Sequence, residues 1–167
     1  MPVINVGSLK DAIKTALDAN NIAVGAPVAD LSANMTKRVL KVATIDPRDI
    51  KLNATQMPAV CIYAQSKTPR NTSIGPNQLQ TKKEAFVLLT LAGLVWNQNF
   101  QADIYDDPSA RDVERLMENI EEILRGNMQI SGCTWQISGD ITYHNANFDE
   151  QTHFKIAFMD VQFKYFY

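Results

Sequence analysis

The sequence predicts an α+β fold, with a mostly antiparallel sheet and a long C-terminal hairpin packed against two amphipathic helices. Three observations carry that expectation. Residues 108–125 hold a strict helical stripe of apolar side chains, residues 84–96 form an almost unbroken apolar strand, and the last 35 residues alternate in the way of two paired strands. At 167 residues, with 46% hydrophobic and 20% charged side chains, the chain fits one globular domain, 1–167. The longest apolar run, residues 85–96, is broken only by Thr90 and is too short for the roughly 20 residues a bilayer span needs. The N-terminus has no cation ahead of an apolar run, so no secretory leader is expected.

The elements follow in chain order. Ser8 reads as an N-cap with Asp11 three residues on, and Leu9, Ile13 and Leu17 recur at i, i+4 and i+8, so a helix is expected over 9–20, stopped by Asn20-Asn21. Residues 22–52 are less legible: Gly25 to Pro27 is a break, residues 35–44 suit a strand, and Asp46-Pro47-Arg48-Asp49 is turn chemistry. Residues 57–64 form a short apolar strand with Pro58 at its start, where proline is tolerated. Residues 65–81 are small and polar with two prolines, which predicts a long polar loop, mobile in a free subunit and ordered by a neighbour.

The apolar strand over 84–96 is expected to be buried on both faces. Asp107 as N-cap and Pro108 at the first helical position open the second helix. Val113, Leu116, Met117, Ile120, Ile123 and Leu124 form its apolar stripe, and Arg125-Gly126 closes it. Next, Cys133, Trp135, Ile137, Ile141 and Tyr143 share one parity and predict a strand with one buried face. In the strand over 153–167, Phe154, Ile156 and Phe158 have one phase and Val161, Phe163, Tyr165 and Tyr167 the other. That flip predicts a β-bulge near Met159-Asp160. Residues 145–151 form the polar tip between the two strands.

Chemistry is sparse. No phosphate-loop, dinucleotide, nucleophile-elbow or zinc-protease motif occurs, and no Cys/His spacing suits zinc. Cys61 and Cys133 read as two buried free thiols. His144 and His153 flank the hairpin tip with Asp149 and Glu150 between them. A metal or acid/base site there is the minor reading, and solvated tip residues the major one. Asp106-Asp107 is better explained by capping than by general acid/base work. Aromatic residues are not interleaved with cations, so no nucleic-acid platform is expected. Charge is uneven: residues 1–83 carry a net +6 and residues 84–167 a net −8. Either two opposite halves pack within one domain, or one face of a subunit complements the opposite face of the next.

The element order resembles that of the tail terminator (tail completion) proteins of long-tailed bacteriophages. The resemblance lies in the helix over 8–19, the strand Met57-Pro-Ala-Val-Cys-Ile-Tyr63, the long strand over 82–96, the helix over 110–124, and the C-terminal hairpin over 134–164 with its aromatic ending. It implies a structural virion protein, not an enzyme, assembled in the host cytoplasm and resident in the tail or neck. It implies a hexameric ring that caps the tail tube, stops its polymerisation and offers the docking surface for the capsid connector. The implied partners are copies of the chain, the tail tube protein and the head–tail connector protein. No membrane, cofactor, metal or specific nucleic-acid contact is implied, although DNA passes through such a ring. The alternatives are another phage neck or minor tail component, a small enzyme with a site near His144 and His153, or a cellular adaptor domain. A cyclic ring needs unlike patches to meet. The candidate interface residues are Arg38, Lys41, Lys82 and Lys83 on the basic side, and Glu114, Glu118, Glu121 and Glu122 on the acidic helix.

Overall fold

A computed structural model describes residues 4–19, 41–51, 57–73, 81–97, 108–126, 133–147 and 153–166. The order is α1 (Val6–Ala19), β1 (Lys41–Ala43), β2 (Ala59–Ser73), β3 (Thr81–Asn97), α2 (Pro108–Gly126), β4 (Thr134–Asn147) and β5 (His153–Phe166). The five strands form one sheet in the order β1-β2-β3-β5-β4, and every pairing is antiparallel except β1 with β2. The chain is α+β.

α1 begins three residues before the expected start. Asn5, not Ser8, is the N-cap: its Oδ1 accepts from the Ser8 N–H at 2.8 Å, while the Asn5 N–H donates to Ser8 Oγ at 2.9 Å. Ser8 therefore closes a reciprocal box from the third helical position. Leu9, Ile13 and Leu17 are fully buried, as the i, i+4, i+8 spacing requires. Along α2, Val113, Leu116, Met117, Ile120, Ile123 and Leu124 are buried, and Glu114, Glu118 and Glu122 face solvent. Asp106, Asp107 and Asn20-Asn21 lie outside the described residues, as do Gly25 to Pro27.

The stripes of both helices join one core with Val87, Leu89, Leu91, Met159, Val161 and Phe163 of the sheet. Gly93 on β3 is what lets α2 lie close. A Cβ there would stand 2.9 Å from Met117 Sδ and 3.0 Å from Leu116 Cδ2. The other sheet face carries a smaller cluster, Cys61, Ala92 and Leu94, covered by Ile50, Met57, Tyr63, Ile156 and Phe158. Both cysteines are buried and unbridged. Between β1 and β2, the Asp46 carbonyl accepts from the Asp49 N–H at 3.0 Å, which closes the expected turn. Of the expected strand over 35–44, residues 41–43 form β1 and residues 35–40 lie outside the described residues.

Two expectations fail. Residues 65–73 are not loop; they continue β2, paired with β3 down to Ser73 opposite Thr81. Their small polar composition reflects an exposed edge strand, because residues 64–70 are exposed without exception. Residues 74–80 lie outside the described residues. Nor does β5 bulge near Met159-Asp160, since its ladder with β3 runs without a shift from His153 to Phe166. The phase flip arises because burial changes face along the strand. Ala157 to Tyr165 at odd positions face the helices, while Ile156 and Phe158 join the cluster on the other side. The irregularity belongs to the partner strand, where the pairing jumps between Ser138 and Thr142 and Gly139 has φ of 78°. A second irregularity lies in β2. Ala64 is opposite Leu89 and Ser66 opposite Leu88, so Gln65 is an extra residue. The expected tip over 145–151 is shortened by strand pairing to Asn147 opposite His153.

Candidate functional site

Among the described residues, no group of three His, Cys, Asp or Glu side chains converges to hold a metal ion. The titratable groups that are clearly shifted move away from reactivity. Burial pushes the Cys61 thiol up to about 11, with Asp46 adding to the effect, and burial raises Cys133 as well. Tyr63 is raised first by burial and then by Asp46. A nucleophile would need the opposite direction. Asp46 is lowered by its hydrogen bonds from Arg48, whose Nε and Nη2 lie 3.0 and 2.7 Å from its two carboxylate oxygens. That pair serves the turn. The two histidines are not brought opposite each other: His144 pairs with Ile156, whereas His153 pairs with Asn147. The His144 ring packs edge-on to Phe158 at 5.7 Å.

Surfaces are more informative. The first is the far end of the open sheet face. Cross-strand register places Arg70 opposite Glu84, Phe86 opposite Lys164, and Glu84 opposite Phe166. The Arg70 guanidinium lies 4.9 Å from the Phe86 ring centre, and Lys164 Nζ lies 5.4 Å from the rings of both Phe86 and Phe166. Lys164 also meets the buried carboxylate of Glu84 at 3.0 Å. Sequence reading missed this cation–aromatic ladder. Its signal lay in even positions of three strands, of which β5 is far from β2 and β3 along the chain and adjacent only through register. Nearer the middle of the face, buried Thr90 donates its hydroxyl to Asp160.

The second surface is the acidic side of α2. Glu114, Glu118 and Glu121 all act on Tyr143, whose phenol is raised first by burial and then by these three charges. Tyr143 belongs to β4 and is 46% exposed, against the expectation that its parity would bury it. It stands at the sheet margin, where α2 covers it only in part. Glu121 accepts two hydrogen bonds from Arg125 at 2.8 and 2.6 Å, while Glu122 faces solvent. The acidic candidates thus fall on one helix side, next to the β4 margin.

The basic candidates do not gather into one patch. Lys41 opens β1 opposite Ala59, at one end of β2. Lys82 and Lys83 sit opposite Thr72 and Asn71, at the other end of that strand. Thirteen residues of strand, about 43 Å, separate the two ends. Arg38 lies outside the described residues. The cations that share the exposed length of β2 are Lys67 and Arg70, with exposed Lys83 beyond them on β3. Comparison with known families finds no family model that matches the chain, and comparison with curated proteins finds none that matches it.

Proposed function

We propose that the chain is a structural subunit that assembles with copies of itself, in the manner of the bacteriophage tail terminators it resembles. On this reading six copies form a ring on the finished tail tube, stop its growth and present a docking surface to the capsid connector. One observation supports it above the others. The two lateral margins of a single sheet carry opposite charge, cationic along exposed β2 and anionic where the α2 glutamates act on Tyr143 of β4. Opposed patches on opposite sides of one subunit suit a heterologous interface, the kind that closes into rings. Side chains that chemistry would recruit are instead spent on packing or on exposed strand. The two cysteines are buried thiols, and His144 packs edge-on against Phe158. In this role the chain is not an enzyme and acts in the tail or neck of a virion.

Sedimentation of the purified chain tests the reading. A species near six times the 18.7 kDa subunit mass, seen as rings by electron microscopy, is expected. Rings added to polymerising tail tube protein should cap it and shorten the tubes. A chain that stays monomeric at every concentration and neither binds nor shortens tubes would refute it. The same measurement separates the alternatives, because a connector-type ring would bind the capsid portal assembly and leave tube length unchanged.

A further inference from the structure

Among the described residues, both margins of the sheet lack a full partner strand. β1 pairs only with Ala59, Val60 and Cys61, and no other strand among the described residues covers β2 beyond them. The outer side of β4 likewise has no partner strand among the described residues. Long open edges invite pairing with another chain. β2 carries Lys67, Pro69 and Arg70 along this edge, all of them exposed. Two such cationic edges repel each other, which disfavours β2 against β2. The β4 edge offers the opposite sign, with exposed Asp140 in the strand and the Glu114, Glu118 and Glu121 side of α2 behind it.

Resting on the ring reading above, we infer that the sheet continues from copy to copy, the exposed part of β2 in one subunit pairing with the β4 edge of the next. Strand direction supports this. β3 runs against β2, β5 against β3 and β4 against β5, so β4 and β2 run in opposite directions. Rotation about an axis roughly along the strands preserves every direction, and the new pair is therefore antiparallel, the more stable ladder. Height agrees too. Through the register, Ala64 lies level with Ile137 (by way of Leu89 and Val161) and Thr68 lies level with Thr134 (by way of Phe86 and Lys164). Face agrees as well. Lys67 lies on the helix side of the sheet, where it stacks on Tyr165 at 5.9 Å, and this is the side from which the neighbour's acidic α2 would approach. Pro69 ends the ladder, since it has no N–H to donate.

Cysteine cross-linking of the full chain tests the pairing. Ser66 shares the open face with Thr134, Gln136 and Thr142. Ser66→Cys is combined in turn with Thr134→Cys, Gln136→Cys and Thr142→Cys, three placements that allow for a stagger between copies. Within one subunit the two edges are three strand spacings apart, about 14 Å, beyond the reach of a disulfide, so any bridge joins two copies. Under mild oxidation at least one pair should give covalent multimers larger than dimers, with Ser66→Cys alone giving none. Raised salt should slow their formation. Dimers from Ser66→Cys alone would show β2 meeting β2 and overturn the inference. Multimers in sedimentation with no bridge in any pair would also overturn it while leaving the ring intact. A chain that is monomeric throughout would remove both.

Discussion

The two faces of the sheet are made by the same strands and differ in almost everything else. The helix-covered face is continuous, with Val87, Leu89, Leu91, Met159, Val161 and Phe163 shielded by two helices. The opposite face is apolar only at one end, around Cys61, Ala92 and Leu94, and at the other end it carries charge stacked on the half-buried ring of Phe86 and the exposed ring of Phe166. The difference teaches where stability and recognition are divided. One face removes apolar surface from water, the largest favourable contribution to folding. The other keeps its long side chains half in solvent, where cation–aromatic contacts contribute only about 0.5–1 kcal/mol each.

Truncation is the strongest way to break that contrast. Leu116→Ala on the covered side should cost about 2–5 kcal/mol in chemical denaturation, because Leu116 is fully buried. Phe166→Ala on the open face, at a residue 59% exposed, should stay within about 1 kcal/mol, the worth of its contact with Lys164. Equal losses at the two sites would erase the distinction. Next in size, Gly93→Val should cost about 1–3 kcal/mol, since the added carbons collide with Leu116 and Met117 and push α2 off the sheet. Gly139→Val, at a position with open space around it but a positive φ, tests strain without collision.

Alkaline pH sharpens the comparison on the other face. The Cys61 thiol rises from 9.0 to about 11 on folding, so the native state holds its proton longer than the unfolded chain. Its contribution is complete below pH 9 and is lost as pH climbs from 9 towards 11. Melting temperature should fall over that window, and Cys61→Ala should flatten part of the fall. Tyr63, Tyr143 and Cys133 are raised too and supply a remainder of the same sign. The smallest effect on stability belongs to Glu118→Lys with Glu121→Lys. The buried stripe of α2 is untouched, so melting should move little while sedimentation at low salt shows weaker self-association. An unchanged oligomer distribution would make the acidic helix only a solvated surface.

Local chemistry was legible where burial followed one period. The stripe on α2 and the Leu9, Ile13, Leu17 spacing on α1 place both helices directly, because a helix against one sheet face needs only one apolar stripe. Strands covered on different faces at different points mislead. β5 shows two phases without a bulge, and the outer part of β2 shows no apolar alternation because its residues 64–70 are exposed on both sides. Capping misled by three residues, since Asn5 and Ser8 are both competent caps and only the structure decides which one precedes the helix. At the candidate surface, the acidic cluster on α2 could be named from helical spacing. The ladder of Arg70, Phe86, Lys164 and Phe166 could not, because it exists only through register between distant segments.

Gln65 gives the molecule an arithmetic of parity. By standing outside the pairing, this one residue exchanges the faces of everything after it in β2, so that Lys67 looks towards the helices and Arg70 towards Phe86. The pairing jump in β4 spans two extra residues and exchanges nothing, since Ser138 and Thr142 remain on the same face as Asp160 and Phe158. Odd insertions or deletions among the paired residues of these strands therefore reassign every downstream side chain, while even ones only change reach. Drawing Gln65 into the ladder opposite Leu88 would turn Lys67 outward and Arg70 inward without altering a single side chain, whereas deleting it would leave both where they are. Descendants of this sequence can lengthen β4 by pairs at little cost, and β2 can lose its odd residue, but pairing that residue would rewrite the whole arm.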